Sequence, residues 1–266
     1  MIPSGIITIT TDFGETDPYV ASMKGVILSI NPDARIIDIT HQVPAGSIQE
    51  GALMIKEVYS YFPPGTVHLG VIDPGVGTKR RPIAILANNH FFVGPDNGLF
   101  WPAIEKLKNL SVVHLTNKNY WMNKVSSTFH GRDIFAPVSA HLSRGINPFL
   151  LGEKIDDPAT IESRLPFKKD GDLVGEVIRV DNFGNLITNI TKEQLSPILS
   201  SKGLTIKIGN MILKKISNTY NDVPEGQALA LIGSSGLLEI AVNMGKASNS
   251  LGEKLGIGTK VTVKPS

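Results

Sequence analysis

Residues 6–40 read IITITTDFGETDPYVASMKGVILSINPDARIIDIT, and the order of patterns within them decides the fold. Ile6–Thr10 is a β-branched run suited to a strand. It ends at Asp12-Phe13-Gly14, and a helical pattern follows from about Pro18 to Ile30, with Val20, Met23, Val26 and Ile27 on one face. Arg35–Thr40 then returns to a strand. Strand, helix, strand is the repeating unit of a layered α/β domain with a mainly parallel central sheet.

The alternation continues outward. Ser47, with Glu50 following, offers a capping box for a helix reaching about Tyr61, and Pro63-Pro64-Gly65 stops it. Thr66–Ile72 is a third strand, closed by Asp73-Pro74-Gly75. Ile83–Ala87 and Phe91–Val93 flank Asn88-Asn89 as a hairpin, Ser111–Leu115 is another strand, and Asp133–Leu142 reads as a helix with Pro137 in its first turns. Between Asn147 and Asp172 the texture changes to prolines and then Lys168-Lys169-Asp170-Gly171-Asp172. Beyond it the chain is mostly β: Leu173–Val180, Leu186–Ile190, Leu204–Ile208, Met211–Lys215, Ala228–Ile232, Leu237–Ala241 and Lys260–Lys264. Gly209-Asn210 is a tight turn, and only Lys192–Ser200 suggests a helix. The expected organisation is an α/β domain over residues 1–165, a linker at 166–171, and a smaller all-β, barrel-like domain over 172–266.

Composition narrows the function. Of 266 residues, 41% are hydrophobic and 19% charged, which excludes a disordered chain or a charged coiled coil. A net charge of +2 provides no overall field for a phosphate backbone, and Lys79-Arg80-Arg81 is the one local basic patch, so no nucleic-acid partner is expected. Cysteine is absent, which removes disulfides and thiolate metal sites, and the histidines show no ligand-like spacing. No apolar run approaches the ~18 residues of a membrane span, and MIPSGIITITTDFG lacks a signal-type pattern. A cytoplasmic protein with no membrane partner is expected. There is no G-x-G-x-x-G after the first strand, no P-loop and no G-x-S-x-G.

Open α/β sheets bind ligands beyond the carboxyl ends of their strands. Two motifs sit there: TTDFGETDPY (residues 10–19) and DPGVGTKRR (73–81). Three others carry polar or glycine-rich clusters: FHGRDIFAP (129–137), DNFGNLITN (181–189) and GSSGLLEIAVNMGKA (233–247). Each has a plain alternative. Asp12 is a helix cap or a ligand group, Asp73 a turn residue or a site carboxylate, and His130 a structural histidine or a catalyst. Asp181 and Asn182 could form one hairpin turn, and Gly-Ser-Ser-Gly an ordinary loop.

Taken in order, the five motifs resemble one family, the S-adenosyl-L-methionine hydroxide adenosyltransferases, or SAM hydrolases, whose relatives are the fluorinases and chlorinases. The similarity runs from Ile6 to Val263. It implies an N-terminal α/β domain, a C-terminal β-barrel domain, and a homotrimer with active sites at subunit interfaces. It implies attack of water, as hydroxide, on the ribose 5′ carbon of SAM, giving adenosine and L-methionine. Under it Asp12 holds the ribose hydroxyls, Asp17 pairs with the methionine ammonium, and Asp73, Arg80 and His130 hold and activate the water. Asp181 and Phe183 bind the amino-acid end and line the pocket. Asn185 binds adenine, Ser234 and Ser235 take the methionine carboxylate, and Ala247 lies in the segment whose backbone meets adenine.

Three departures from the halide-using relatives favour water: His130 where they carry Tyr, Gly131 where they carry a halide-contacting Ser, and Val76 where they carry Thr. Their extra loop in the N-terminal domain is not found. A fluorinase Trp beside the ribose aligns with Gly46. The leaving group of SAM is a neutral thioether, so the chemical demand falls on the nucleophile, and no metal or redox cofactor is required. His130, with an ordinary pKa near neutrality, is the expected base. The competing readings are a SAM- or adenosine-binding sensor without turnover and a SAM-dependent halogenase.

Overall fold

The computed structural model describes residues 2–162, 164–199, 203–252 and 254–265. It divides into two compact units, one ending at Glu162 and the other beginning at residue 163.

The N-terminal unit holds β1 (Ile6–Thr11), α1 (Tyr19–Ile30), β2 (Arg35–Thr40), α2 (Ile48–Val58), β3 (Val67–Val71), β4 (Pro82–Ala87), β5 (His90–Pro95), α3 (Trp101–Ile104), β6 (Ser111–Leu115), α4 (Ala136–Ser143) and β7 (Gly152–Ile155). The sheet order is β2-β1-β3-β5-β4-β6-β7. Ile7 and Ile9 pack with Met23 and Ile27 of α1 and Val138 and Leu142 of α4. On the other face Ile55 of α2 and Ile104 of α3 pack with Ile83, Ile85 and Phe92. The result is the α/β layering expected.

The sheet is mixed rather than mainly parallel. β2, β1, β3 and β5 run parallel, whereas β4, β6 and β7 pair antiparallel. The cause is local. Asn88 and Asn89, with φ of 47° and 60°, close a two-residue turn between β4 and β5. Strands joined that tightly must run antiparallel.

Helix ends also differ from the sequence reading. α1 follows Pro18 with no side-chain cap, so Asp12 does not cap it. Ser47 Oγ bonds the Glu50 carboxylate at 3.0 Å and makes no bond to the backbone, so the capping box does not form. α2 ends at Val58 and a single 3₁₀ turn covers Tyr59–Tyr61. The helix expected from Asp133 opens instead with a wider π-helical turn at Gly131–Phe135, followed by α4.

The C-terminal unit holds β8 (Phe167–Lys169), β9 (Asp172–Val180), β10 (Leu186–Thr191), α5 (Lys192–Leu199), β11 (Leu204–Ile208), β12 (Met211–Leu213), β13 (Ile216–Ser217), β14 (Ala228–Ile232), β15 (Leu237–Val242) and β16 (Lys260–Pro265). The order β12-β11-β16-β9-β10-β15-β14-β13 curls into a nearly closed, barrel-like sheet around Val177, Leu186, Ile206, Ile240 and Val263. Leu195 and Ile198 of α5 join that core; Ser200, the expected end of this helix, lies outside the described residues. The stretch read as a linker carries β8, which pairs with β9 through Asp170-Gly171, both at positive φ. The strand expected over Met211–Lys215 stops at Leu213, and a separate short strand, β13, follows it.

Within the N-terminal sheet, Thr8 Oγ1 lies 2.9 Å from His68 Nδ1, and His68 Nε2 lies 3.1 Å from His90 Nδ1. Burial, reinforced by the neighbouring His90, pushes the His68 pKa down from 6.5 to about 3. The folded state therefore keeps this ring neutral while the unfolded chain takes up a proton at the ordinary value. Stability from His68 is fully present above pH 6.5 and is lost as the pH falls toward about 3. Melting temperature should fall over that window, and His68→Gln should flatten the slope. Thermal melts of both proteins between about pH 7 and about pH 4 test this; parallel slopes would show that the pair is not their source.

Candidate active site

β2 lies on one side of β1 and β3 on the other, while α1 and α2 pack on opposite faces of the sheet. The winding therefore reverses between β1 and β3. In open α/β sheets the crevice beyond the carboxyl ends at such a reversal is the usual ligand site. Asp12 follows β1 there and Asp73 follows β3.

Asp12 is held from the opposite loop. Its Oδ2 accepts the Gly46 N–H at 2.7 Å. Gly46 has φ +72° and faces Pro74, next to Asp73, at 3.8 Å from where a side chain would start. A residue with a large side chain is disfavoured there on conformational grounds. The loop after β1 is fixed further by Thr11 Oγ1 against His41 Nδ1 at 2.9 Å and by Gly14 N–H donating to the His41 carbonyl at 2.7 Å. His41 Nε2 stands 3.1 Å from Asp38, which also pairs with Lys24. Asp17 is exposed on the same loop. Phe13, Tyr19 and Phe129 form a ring cluster beside it, with centroids 5.2–5.9 Å apart.

Asp73, Arg80 and His130 are brought into one chain of hydrogen bonds. Arg80 Nε donates to both Asp73 carboxylate oxygens at 3.0 Å, and Nη2 donates to Oδ2 at 2.5 Å. The same Nη2 reaches His130 Nδ1 at 2.8 Å. The Arg80 and Asp73 side chains are 9% and 5% exposed, and the Phe135 ring lies 5.2 Å from the guanidinium. Arg80 Nη1 is buried with no partner among the described residues. It is an unspent donor inside the site.

The tautomer of His130 follows from its partner. A guanidinium only donates, so His130 Nδ1 must accept and the ring hydrogen sits on Nε2. Burial, then the Arg80 charge, hold its pKa below the ordinary value, against the pull of Asp73 and Asp133. In this tautomer Nδ1 is engaged by Arg80 and Nε2 carries the hydrogen.

Two local features make this chain possible. Gly77, at φ +76°, lets the loop after β3 approach the Ser127 carbonyl so closely that a Cβ there would stand 2.5 Å from it. Gly131 opens the π-helical turn; a Cβ on it would meet Met23 Sδ at 3.2 Å and Phe129 at 3.3 Å. Asp133, which sequence reasoning left without a role, is 1% exposed. Its carboxylate accepts from the Ser126 N–H at 2.7 Å and from Arg132 at 2.7 and 3.1 Å, tying down the segment before His130. Its place inside FHGRD was the only sequence signal.

Of the basic run, Arg80 is engaged as described, and Arg81 bonds Asp96 at 2.7 Å and Asp157 at 2.8 Å. Two of its three cations are therefore paired with carboxylates.

In the C-terminal unit, Asp181 works within its own turn. Oδ1 accepts the Phe183 N–H at 2.9 Å and the Asn185 N–H at 2.8 Å, and Oδ2 accepts Asn185 Nδ2 at 2.9 Å. Phe183 is 74% exposed and Asn185 is buried. Buried Ala247 is adjacent, because the Ser248 N–H donates to the Gly184 carbonyl at 3.0 Å. Ser234 and Ser235 are exposed in the β14–β15 turn. That turn is at the other end of β10 from Asp181, since Leu237 pairs with Thr191 and Ile240 with Leu186.

Comparison with known proteins agrees with this division. The SAM hydroxide adenosyltransferase N-terminal domain matches residues 7–152 and the corresponding C-terminal domain matches 175–261. A protein of Salinispora tropica named (R)-S-adenosyl-L-methionine hydrolase is 38% identical, over 98% of this chain and 99% of its own. One of the same name from Methanocaldococcus jannaschii is 40% identical over 92% and 91%. A fluorinase of Nocardia brasiliensis is 29% identical over 97% of each chain. A crystal structure of an uncharacterized conserved protein from Thermotoga maritima superposes with a TM-score of 0.89 at 35% identity, over 97% of this chain and 99% of that one. With both domain models matched in order along most of its length, the chain belongs to the SAM hydroxide adenosyltransferase family.

Proposed function

We propose that this chain hydrolyses S-adenosyl-L-methionine to adenosine and L-methionine by attack of water on the ribose 5′ carbon. The buried chain from Asp73 through Arg80 to His130, with its unspent Nη1 donor, carries the reading. Relatives of 36–40% identity named (R)-S-adenosyl-L-methionine hydrolase support it.

In this reading the C5′–O bond forms as the C5′–S bond breaks. The bonding pair leaves on sulfur and neutralises the sulfonium, so no acid is needed to expel methionine. The water proton passes to solvent. Arg80 Nη1 and His130 Nε2 hold the attacking oxygen in line and stabilise the charge it develops, in a site where desolvation strengthens both contacts. Asp73 fixes the plane of the guanidinium. Asp12 takes the ribose hydroxyls, Asp17 the ammonium, Ser234 and Ser235 the carboxylate, and Asn185 with the Ala247 segment the adenine. Asp181, held in its turn, and Phe183 bind the amino-acid end and line the pocket. The tight surroundings of Gly131 disfavour the serine that halide-using relatives carry. Assembly as a homotrimer and a cytoplasmic location belong to the same reading; light scattering in solution tests the first.

Chromatography of SAM incubated with the purified protein should show adenosine and methionine in equal amounts, with or without chloride or fluoride, and none with Asp73→Ala. Tightly bound, intact SAM would favour a sensor, and a halogenated adenosine a halogenase. Arg80→Lys should lower kcat by about 10²–10³-fold, because an ammonium cannot fork between Asp73 and His130 while also presenting a further donor.

The pH profile tests the need for a neutral His130. Its folded pKa is held below the ordinary 6.5, and protonation would sever its bond to Arg80. The rate should therefore fall on an acid limb centred below 6.5. An acid limb centred at or above 6.5 would show that a different group sets the profile.

A further inference from the structure

Asp73 and Arg80 leave the sheet from strands that are not neighbours. The order β3-β5-β4 puts β5 between them. The loop joining β3 to β4 therefore runs past the carboxyl end of β5, with Asp73 at its foot beside β3 and Arg80 at its foot beside β4. Leu69 pairs with Val93 and Pro82 with Pro95, which brings both feet level with the turn after β5. That turn is Asp96-Asn97, and no step above gives it a task.

Its two side chains reach in opposite directions. Asn97 Nδ2 donates to the carbonyl of Ile72, the residue before Asp73, at 2.9 Å, and Asn97 Oδ1 accepts the Leu99 N–H at 3.2 Å. Asp96 Oδ2 accepts from Arg81, the residue after Arg80, through Nε at 2.7 Å and Nη2 at 2.6 Å. The Asp96 N–H donates to the Arg81 carbonyl at 2.9 Å, and Oδ1 accepts the Ala159 N–H at 2.7 Å. The Asp96 side chain is 3% exposed. A carboxylate buried to that degree is costly unless its oxygens are occupied, and here both are. Each foot is thus held one residue away from the group that enters the site. The Asp73–Arg80 pairing bridges the loop from foot to foot, and His130 meets Arg80 through a single nitrogen. Slack at either foot passes to that contact across one peptide link.

We infer that Asp96 and Asn97 are positioning residues of the site, setting the separation of the two feet at which Arg80 holds Asp73 and His130 together. Their effect on rate rests on the proposed function; their effect on His130 does not.

Asp96→Asn tests this. An amide has one oxygen, so it cannot accept from Arg81 at one end and Ala159 at the other, and the foot beside Arg80 slackens. With SAM, kcat should fall about 10–100-fold while KM stays within about threefold, because the groups proposed to bind substrate are untouched. The second readout is the titration of the His130 ring by NMR, its signals assigned by their loss in His130→Gln. Burial and then the Arg80 charge hold the His130 pKa down, against Asp73 and Asp133. Withdrawal of Arg80 should move that titration to higher pH in the variant. A residue that only stabilises the fold would lower the melting temperature and move neither readout. Unchanged kcat, a loss confined to KM, or a His130 titration coincident with wild type would overturn the inference. If Asp96→Asn does not fold by circular dichroism, Asn97→Ala, which frees the foot beside Asp73, decides on the same two readouts. If wild type does not turn over SAM, the proposed function fails and the titration decides alone. A move to higher pH then sustains the role of Asp96, and coincident curves overturn it.

Discussion

A single guanidinium, that of Arg80, is shared between a carboxylate and an imidazole, and the loops at the carboxyl end of the N-terminal sheet are arranged around it. Asp73 takes the Nε side, His130 takes Nη2, and Phe135 lies nearby as a cation–π partner. A buried cation with one partner removed leaves an uncompensated charge, so each contact is constrained by the others. Close approach at Gly77, the wide turn at Gly131 and the carboxylate of Asp133 all serve to bring His130 to the arginine. Arg80 Nη1 is the one guanidinium nitrogen of this arrangement left without a partner among the described residues.

The order of elements was legible because apolar periodicity survives in isolated sequence. β1, β2, β6, β11 and β14 fall where β-branched or apolar runs begin and end. What periodicity cannot carry is strand direction and turn chemistry. The Asn88-Asn89 hairpin was legible, but the antiparallel pairings of β6 with β4 and β7 were not, and the β8–β9 hairpin on Asp170-Gly171 fell within the stretch read as a linker. The capping box at Ser47 matched its pattern, yet the two side chains satisfied each other instead of the backbone.

The candidate site was legible by motif and illegible by role. Asp73 and Arg80 were named from one motif and His130 from another some fifty residues on, but only their distances fix which nitrogen of His130 is engaged. Asp181 is oriented by the amides of its own turn, which its letter alone does not show. Glu239 sits inside the same motif as Ser234 and Ser235, and nothing in the letters distinguishes it from an ordinary outward strand residue. Its carboxylate is held by Tyr220, which arrives from a separate loop.

The mixed sheet has a kinetic side. Pairing β4 with β5 closes a turn of two asparagines, whereas pairing β1 with β3 brings Ile7 to Val67 across 60 positions of chain. Closure entropy grows with the logarithm of loop length, so the β1–β3 pairing is assembled against a barrier that the β4–β5 hairpin does not meet. Asp12 and Asp73 follow the two strands of that pairing, and the crevice between them exists only once it is in place.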